Sequence, residues 1–314
     1  MGRPSTIAAA LALASCVVMN AEPALAAESS PVGFASMNGG TTGGSGGSTV
    51  TVTTASALAG ALTSSSALTI RVSGMISISG MYRVASNKSV LGVGPGSGLN
   101  GGGLTMSGVS NIIIRNLTIQ NSGDDAINVQ DGSHNIWIDH NNFTRAYDGL
   151  VDIRLASDFV TVSWNRFYNH DKSVLLGSDD SNTGDIGHLR VTYVHNWFDG
   201  TNQRHPRVRF GNPVHVLNNY YSNIGSYGVA STTNAGVYVE RNHFENVARP
   251  TSLAEGTSPQ GNIKLLNNYL ANSGTPLSRN PSSVAAIPYS YTPECNCSVK
   301  ATVTAGAGVG KIGL

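Results

Sequence analysis

Three aspartates and a small set of bases are the residues whose types and spacing could do chemistry here. Asp125 lies in "GDDAINV", Asp148 and Asp152 in "YDGLVDI", and Lys172 in "YNHDKSVLLG". Arg204, Arg207 and Arg209 crowd into "NQRHPRVRFG", a stretch without a single acid, in a chain holding only 19 Lys+Arg. Like charges this close call for an anion to offset them. Carboxylate oxygens without nitrogen or sulfur partners suit hard cations, calcium first. The planar fork of a guanidinium suits a carboxylate. Taken singly, each motif has a plainer reading: a solvated turn or an acid–base pair for the aspartates, a solvated surface residue for Lys172. What decides between these is whether the fold brings the two sets together.

A repeat supplies the means. "NIIIRNLTIQN", "NIWIDHNNFT", "FVTVSWNRFYN", "LRVTYVHNWFDG", "PVHVLNNYYSN", "GVYVERNHFEN" and "NIKLLNNYLAN" each carry a β-rich run, an asparagine, and an aromatic or apolar residue two positions on. Aligned this way, the asparagines are Asn116, Asn141, Asn165, Asn196, Asn218, Asn242 and Asn267. They recur at roughly 25 residues, inside the 20–50 window of repeat architectures and short of the ~40 residues that a propeller blade needs. Units of short strands without helix, stacked coil on coil, make an all-β solenoid. A column of asparagines can satisfy the backbone groups that a recurring bend turns inward. The neighbouring aromatics then belong to the core. "ASALAGALTS" is the one stretch that reads as helix, placed to cover the open N-terminal end over Ala55 to Leu62.

The 314 residues carry only 12% charged side chains and a net charge of +1. That excludes the broad basic footprint of a nucleic-acid partner, so anion recognition must be local. Residues 1–26 read as an export signal: Arg3, an apolar run from Ile7 to Met19, and a small-residue cleavage site at Ala24-Leu25-Ala26. The run is too short to span a bilayer, which takes ~20 apolar residues, and no later segment is apolar enough. A secreted, extracellular protein without membrane contact is expected, with residues 27–314 as its one domain. Of the three cysteines, Cys16 falls in the signal. Cys295 and Cys297 stand one residue apart, a spacing that seldom bridges without strain, so the fold is not expected to lean on a disulfide.

Repeat spacing places the chemistry. Asp125 precedes Asp148 by close to one repeat, Lys172 follows Asp152 by close to one, and Arg204 and Arg209 come another coil on. Asp148 and Asp152 would share a strand face with Leu150 unless the chain bends at Gly149. The result is a groove with acids at one end and cations at the other. It would suit a carboxylate-bearing polyanion, and an acidic polysaccharide fits an exported chain.

Here the sequence resembles the pectate lyases of polysaccharide lyase family one, from "GFASMNGGTTGG" to "AGVGK". The motifs that carry the resemblance are "IWIDHN", "DGLVDI" and "RHPRVRFG", the last matching R-x-P-x-x-R-x-G. It implies a right-handed parallel β-helix with three sheets, and calcium-dependent β-elimination of polygalacturonate by a monomer. By position, Asp125, Asp148 and Asp152 match the family's calcium ligands. Arg204 matches its catalytic base, and Lys172 and Arg209 match residues that hold substrate carboxylates. One departure is Gly123, where some members have a further acid; Asp124 stands beside it and need not point inward. That leaves the number of calcium ions open. Arg207 receives no role and is expected to face solvent; Asp139 and His140 of "WIDH" are expected to be structural. A guanidinium seldom deprotonates, and crowding by other cations disfavours its charged form, so an alkaline optimum is expected.

Three competitors remain. "GDDA" resembles the paired-acid motif of polygalacturonases, but the Gly-His-Gly and Arg-Ile-Lys signatures are absent. A pectin lyase would not need the three aspartates. A non-catalytic solenoid would bind polysaccharide without turning it over.

Overall fold

In the computed structural model, residues 29–314 are described; the expected signal segment lies outside them. The chain winds into a parallel β-solenoid of about 10 turns. Each turn contributes one strand to each of three sheets. The first sheet runs through Ser110–Arg115, His134–Asp139, Asp158–Ser163, Val191–Val194, Val214–Leu217, Gly236–Glu240 and Asn262–Leu266. The second stacks Thr118–Gln120, Asn142–Thr144, Arg166–Tyr168, Trp197–Asp199, Tyr220–Ser222, His243–Glu245 and Tyr269–Ala271. The third, which builds the site below, stacks Ile127–Gln130, Val151–Ile153, Val174–Leu176, Arg207–Arg209, Val229–Thr232 and Thr251–Ser252.

Strict register makes the core. Ile114, Ile138, Val162, Tyr193, Val216 and Val239 lie directly above one another, and all are sealed from solvent. Because strand residues alternate faces, one inward apolar column also fixes the outward column beside it. A second interior column is aromatic: Phe143, Phe167, Phe198, Tyr221 and Phe244 stack with centroids 4.4–5.2 Å apart. These are the residues two positions past the repeat asparagines, in the core as expected.

The asparagine column exists, with a shift of membership. Asn141, Asn165, Asn196, Asn219, Asn242 and Asn268 are joined side chain to side chain at 3.0 Å. From Asn165 on, each Oδ1 also accepts the backbone N–H of the asparagine on the coil before, and Asn141 Oδ1 accepts that of Leu117. Asn116, Asn218 and Asn267 are not members. They occupy the preceding bend position at φ 50–58°, shared with His140, Trp164, His195 and Arg241. Asparagine tolerates that left-handed conformation, so in the doublets at 218–219 and 267–268 the first residue turns the chain and the second points inward.

Helix α1, Ala55–Thr63, caps the N-terminal end. The hydroxyl of Thr54 accepts the Ala57 N–H at its start, and Leu58 and Leu62 are buried in the core. A second helix, Val299–Gly306 (α2), carries no strong helical period in the sequence and was not expected. It lies on the flank, with Val299 and Val303 against Tyr220. Gly306 is required there, because a Cβ would fall 2.6 Å from the Trp164 ring. Just before α2, Cys295 and Cys297 form a disulfide, a bridge that their spacing did not lead one to expect. Their Cα atoms are 5.2 Å apart, inside the bridging range. The Asp139 carboxylate is fully buried, held by Arg115, Ser163 and His140 at 2.6–2.7 Å. "WIDH" is therefore a structural node.

Candidate active site

The turn leading into each third-sheet strand carries one candidate residue. Ala126, next to Asp125, donates its N–H to Gly149 O, and Leu150 donates to Lys172 O. Val174 then donates to Arg204 O at 2.7 Å. Asp125, Asp148, Lys172 and Arg204 thus climb one column, a coil at a time. Beside it, the outward positions of the strands form a second column in register: Asn128, Asp152, Leu175 and Arg207. The inward neighbours Ile153, Leu176 and Val208 are fully buried and lock this face outward. The chain bends at Tyr147, Asp148 and Leu150, and Leu150 enters the core while Asp148 and Asp152 stay outside it. The three aspartates and Arg204 therefore lie on one side of the cylinder.

Asp125 and Asp152 are each 3% exposed. Asp125 Oδ1 accepts the Gly149 N–H at 2.8 Å, while Asp152 Oδ1 is buried with no hydrogen-bond partner. A Cβ on Gly149 would fall 2.1 Å from Asp152 Oδ1 and 3.1 Å from Asp125 Oδ1. The two carboxylates therefore converge on the space that glycine leaves. Burial pushes Asp125 up to about 6 despite the Gly149 hydrogen bond. Burial, and then the charge of Asp125, push Asp152 well above the usual carboxylate range. Among the described residues no group of three or more His, Cys, Asp or Glu is gathered as a ready metal cage. The third candidate explains this: Asp148 is turned to Lys172, 2.8 Å away, which holds its carboxyl below the usual range. Still, an orphaned buried oxygen, a second carboxylate aimed at the same point and an all-oxygen donor set fit a hard cation. Asp124 is exposed and adds only its charge.

Arg204 sits at φ 64° on the coil above Lys172. Its Nε is buried without a hydrogen-bond partner, and its charge falls on both Asp148 and Asp152. Next to it, His205 is fully buried between Thr201 Oγ1 at 2.7 Å and Tyr227 O at 2.8 Å. Burial brings its imidazole down to about 4.

The other two arginines are tied down. Arg209 donates Nε to Asp180 at 2.8 Å and Nη1 to Gly177 O at 3.2 Å. Arg207 does not simply face solvent. Its Nη2 reaches Glu255 O at 2.9 Å and Ser258 Oγ at 2.8 Å.

Sequence reasoning passed over three residues of this neighbourhood. Arg154 bears electrostatically on Asp125, Asp148 and Asp152, and its Nε is buried without a partner. Its place two residues after Asp152, just past the end of that strand, was the signal that could have found it. His170 donates Nε2–H to the Asp148 carbonyl at 2.6 Å and is lowered by burial. Asp180 lies in a loop and left no signal.

A family model described as pectate lyase matches residues 5–312. The pectate trisaccharide-lyase of Bacillus licheniformis is 40% identical over 299 residues, 89% of this chain and 86% of that protein. A probable pectate lyase B of Aspergillus terreus is 44% identical over 232 residues, 70% of each chain. Among solved structures, a pectate lyase from Bacillus sp. N165 in complex with trigalacturonate superposes with a TM-score of 0.81 at 34% identity, covering 89% of this chain and 99% of that one. Pectate lyase II of Xanthomonas campestris gives 0.78 at 28% identity, covering 90% and 98%. With three parallel sheets and a column running from acids to bases along one of them, the chain belongs to the pectate lyase family.

Proposed function

We propose that this chain is a secreted, calcium-dependent pectate lyase that cleaves (1→4)-α-D-galacturonan by β-elimination, leaving an unsaturated sugar end. The observation that carries the reading is the column in which Asp125 and Asp148 pass, coil by coil, into Lys172 and Arg204, with the buried Asp152 beside it. Secretion rests on the N-terminal sequence alone.

The proton at C5 of a galacturonate is weakly acidic, because its loss adds charge beside an existing carboxylate. Lys172 and Arg209 would hold and neutralise that carboxylate, favouring the charge that develops at C5 over the ground state. Arg204 would take the C5 proton. The electron pair left behind forms the C4–C5 double bond as the C4–O4 bond breaks, and the departing oxygen takes a proton from solvent. Asp125 and Asp152, joined by Asp148, would hold calcium, which when bound withdraws charge from the uronate as a Lewis acid. Lys172 then serves two anions: Asp148 in the structure described, and the substrate carboxylate in turnover.

The test uses polygalacturonate with and without a calcium chelator, followed by ultraviolet absorbance of the unsaturated product across pH. Chelator-sensitive appearance of the chromophore, rising to an alkaline optimum, is expected. Reducing ends released without chromophore would make the enzyme a hydrolase and end this reading. An optimum near pH 5 would remove Arg204 as the base.

A further inference from the structure

The coil between Asn165 and Asn196 is the longest of the ladder, and its extra residues form a loop around the short helical turn Thr183–Asp185. From this loop Asp180 reaches past the following coil. Its Oδ1 accepts Arg209 Nε at 2.8 Å, Thr233 Oγ1 at 2.6 Å and Ser258 Oγ at 2.8 Å. Ser258 in turn accepts Arg207 Nη2. Below Arg209 is Gly177, at φ 86°, where a Cβ would fall 2.9 Å from the Arg209 Cβ. The missing side chain lets Arg209 lie flat against its own sheet and give Nη1 to the Gly177 carbonyl.

We infer that Asp180 is the positioning residue of the groove: by binding the Nε edge of Arg209 it turns the Nη2 edge toward the substrate carboxylate. The inference rests on the reading of Arg209 as a substrate-binding cation. An acid beside a polyanion site would ordinarily repel its ligand. Here one oxygen takes three donors from three further coils, so the charge is spent within the protein. Burial opposes ionisation of Asp180, but Thr233, Ser258 and Arg209 outweigh it and hold the carboxyl at about 2. The pair therefore survives at any pH at which a uronate is ionised. A guanidinium held on one edge also loses less freedom on meeting a carboxylate than a free one.

The test is a double-mutant cycle on the full chain, with polygalacturonate and highly methyl-esterified pectin as substrates and thermal unfolding as the folding control. Arg209→Ala should raise KM for polygalacturonate. Asp180→Ala should raise it about tenfold with kcat within about twofold, the loss of one charge-assisted hydrogen bond. Asp180→Asn, whose amide oxygen still accepts Nε–H, should recover most of this. Added to Arg209→Ala, Asp180→Ala should do nothing more, and the esterified substrate should show no rise in KM. If Arg209→Ala raises KM and Asp180→Ala does not, or if the two effects add, the positioning role is overturned and the substrate role of Arg209 stands. If Arg209→Ala leaves KM unchanged, both fall. Should Asp180→Ala unfold, Asp180→Leu, which fills the same space and accepts no hydrogen bond, takes its place: a KM rise for polygalacturonate alone supports the role, and no rise or equal losses on both substrates overturn it.

Discussion

Two columns run up this solenoid, and they are built on opposite rules. Inside the second-sheet turn, Asn141, Asn165, Asn196, Asn219, Asn242 and Asn268 repeat one side chain, and each is bonded to the next. Outside the third sheet the same stacking carries a different residue on every coil. Several polar atoms there are buried without partners: Asn128 Oδ1, Asp152 Oδ1, Arg154 Nε, Arg204 Nε and Arg207 Nε. Identity from coil to coil satisfies hydrogen bonds and stabilises the chain. Variation from coil to coil leaves groups unsatisfied, which costs stability and keeps them available to a ligand.

The contrast breaks first at Arg204. Arg204→Ala should lower kcat/KM on polygalacturonate by on the order of 10²–10⁴-fold, with the unfolding midpoint nearly unchanged because the Nε has no partner to lose. Full turnover in that variant would remove it from the chemistry. Asn196→Ala should do the reverse. It removes the side-chain partner of the Asn165 N–H and one of the bonds made by Asn165 Nδ2, the Val162 carbonyl and Asn219 Oδ1. A loss of roughly 4 kcal/mol in chemical denaturation is expected, with kcat per folded molecule retained.

Acid sharpens the comparison at His205, which follows Arg204 in the chain and packs against Phe198 and Tyr221 of the aromatic column. Its folded value of about 4 lies below the ordinary value of 6.5. The unfolded chain therefore binds the proton first, so the contribution is complete above pH 6.5 and is lost as pH falls toward 4. At full burial this is roughly 3 kcal/mol. His205→Asn should flatten the slope of stability against pH between 6.5 and 4. An unaltered slope would mean that other groups set the acid limit. The smallest effect belongs to Cys295. The disulfide closes a loop of three residues, and so short a loop removes little unfolded-chain entropy. Cys295→Ser should cost no more than about 1.6 kcal/mol by that model; a larger loss would show that this link anchors α2.

The solenoid was legible because its signal is local and repeated. A β-run, a bend residue and an aromatic at fixed offsets recur in each coil, and the same spacing put Asp125, Asp148, Lys172 and Arg204 on successive coils. A bend at Gly149 could be anticipated because Leu150 is apolar between two acids. The doublets at 218–219 and 267–268 defeated the same logic, since either asparagine satisfies the pattern and only the backbone dihedral separates them.

By itself, then, the sequence determined which residues face the core, which face outward and how far apart along the axis they stand. Periodicity and alternation are properties of neighbouring residues, and one chain states them completely. The tertiary structure alone decided that Asp148 is turned to Lys172, that Asp125 and Asp152 close on the space left by Gly149, and that Asp180 holds Arg209. Such contacts join residues from different coils, and their geometry depends on loops whose reach no local pattern encodes.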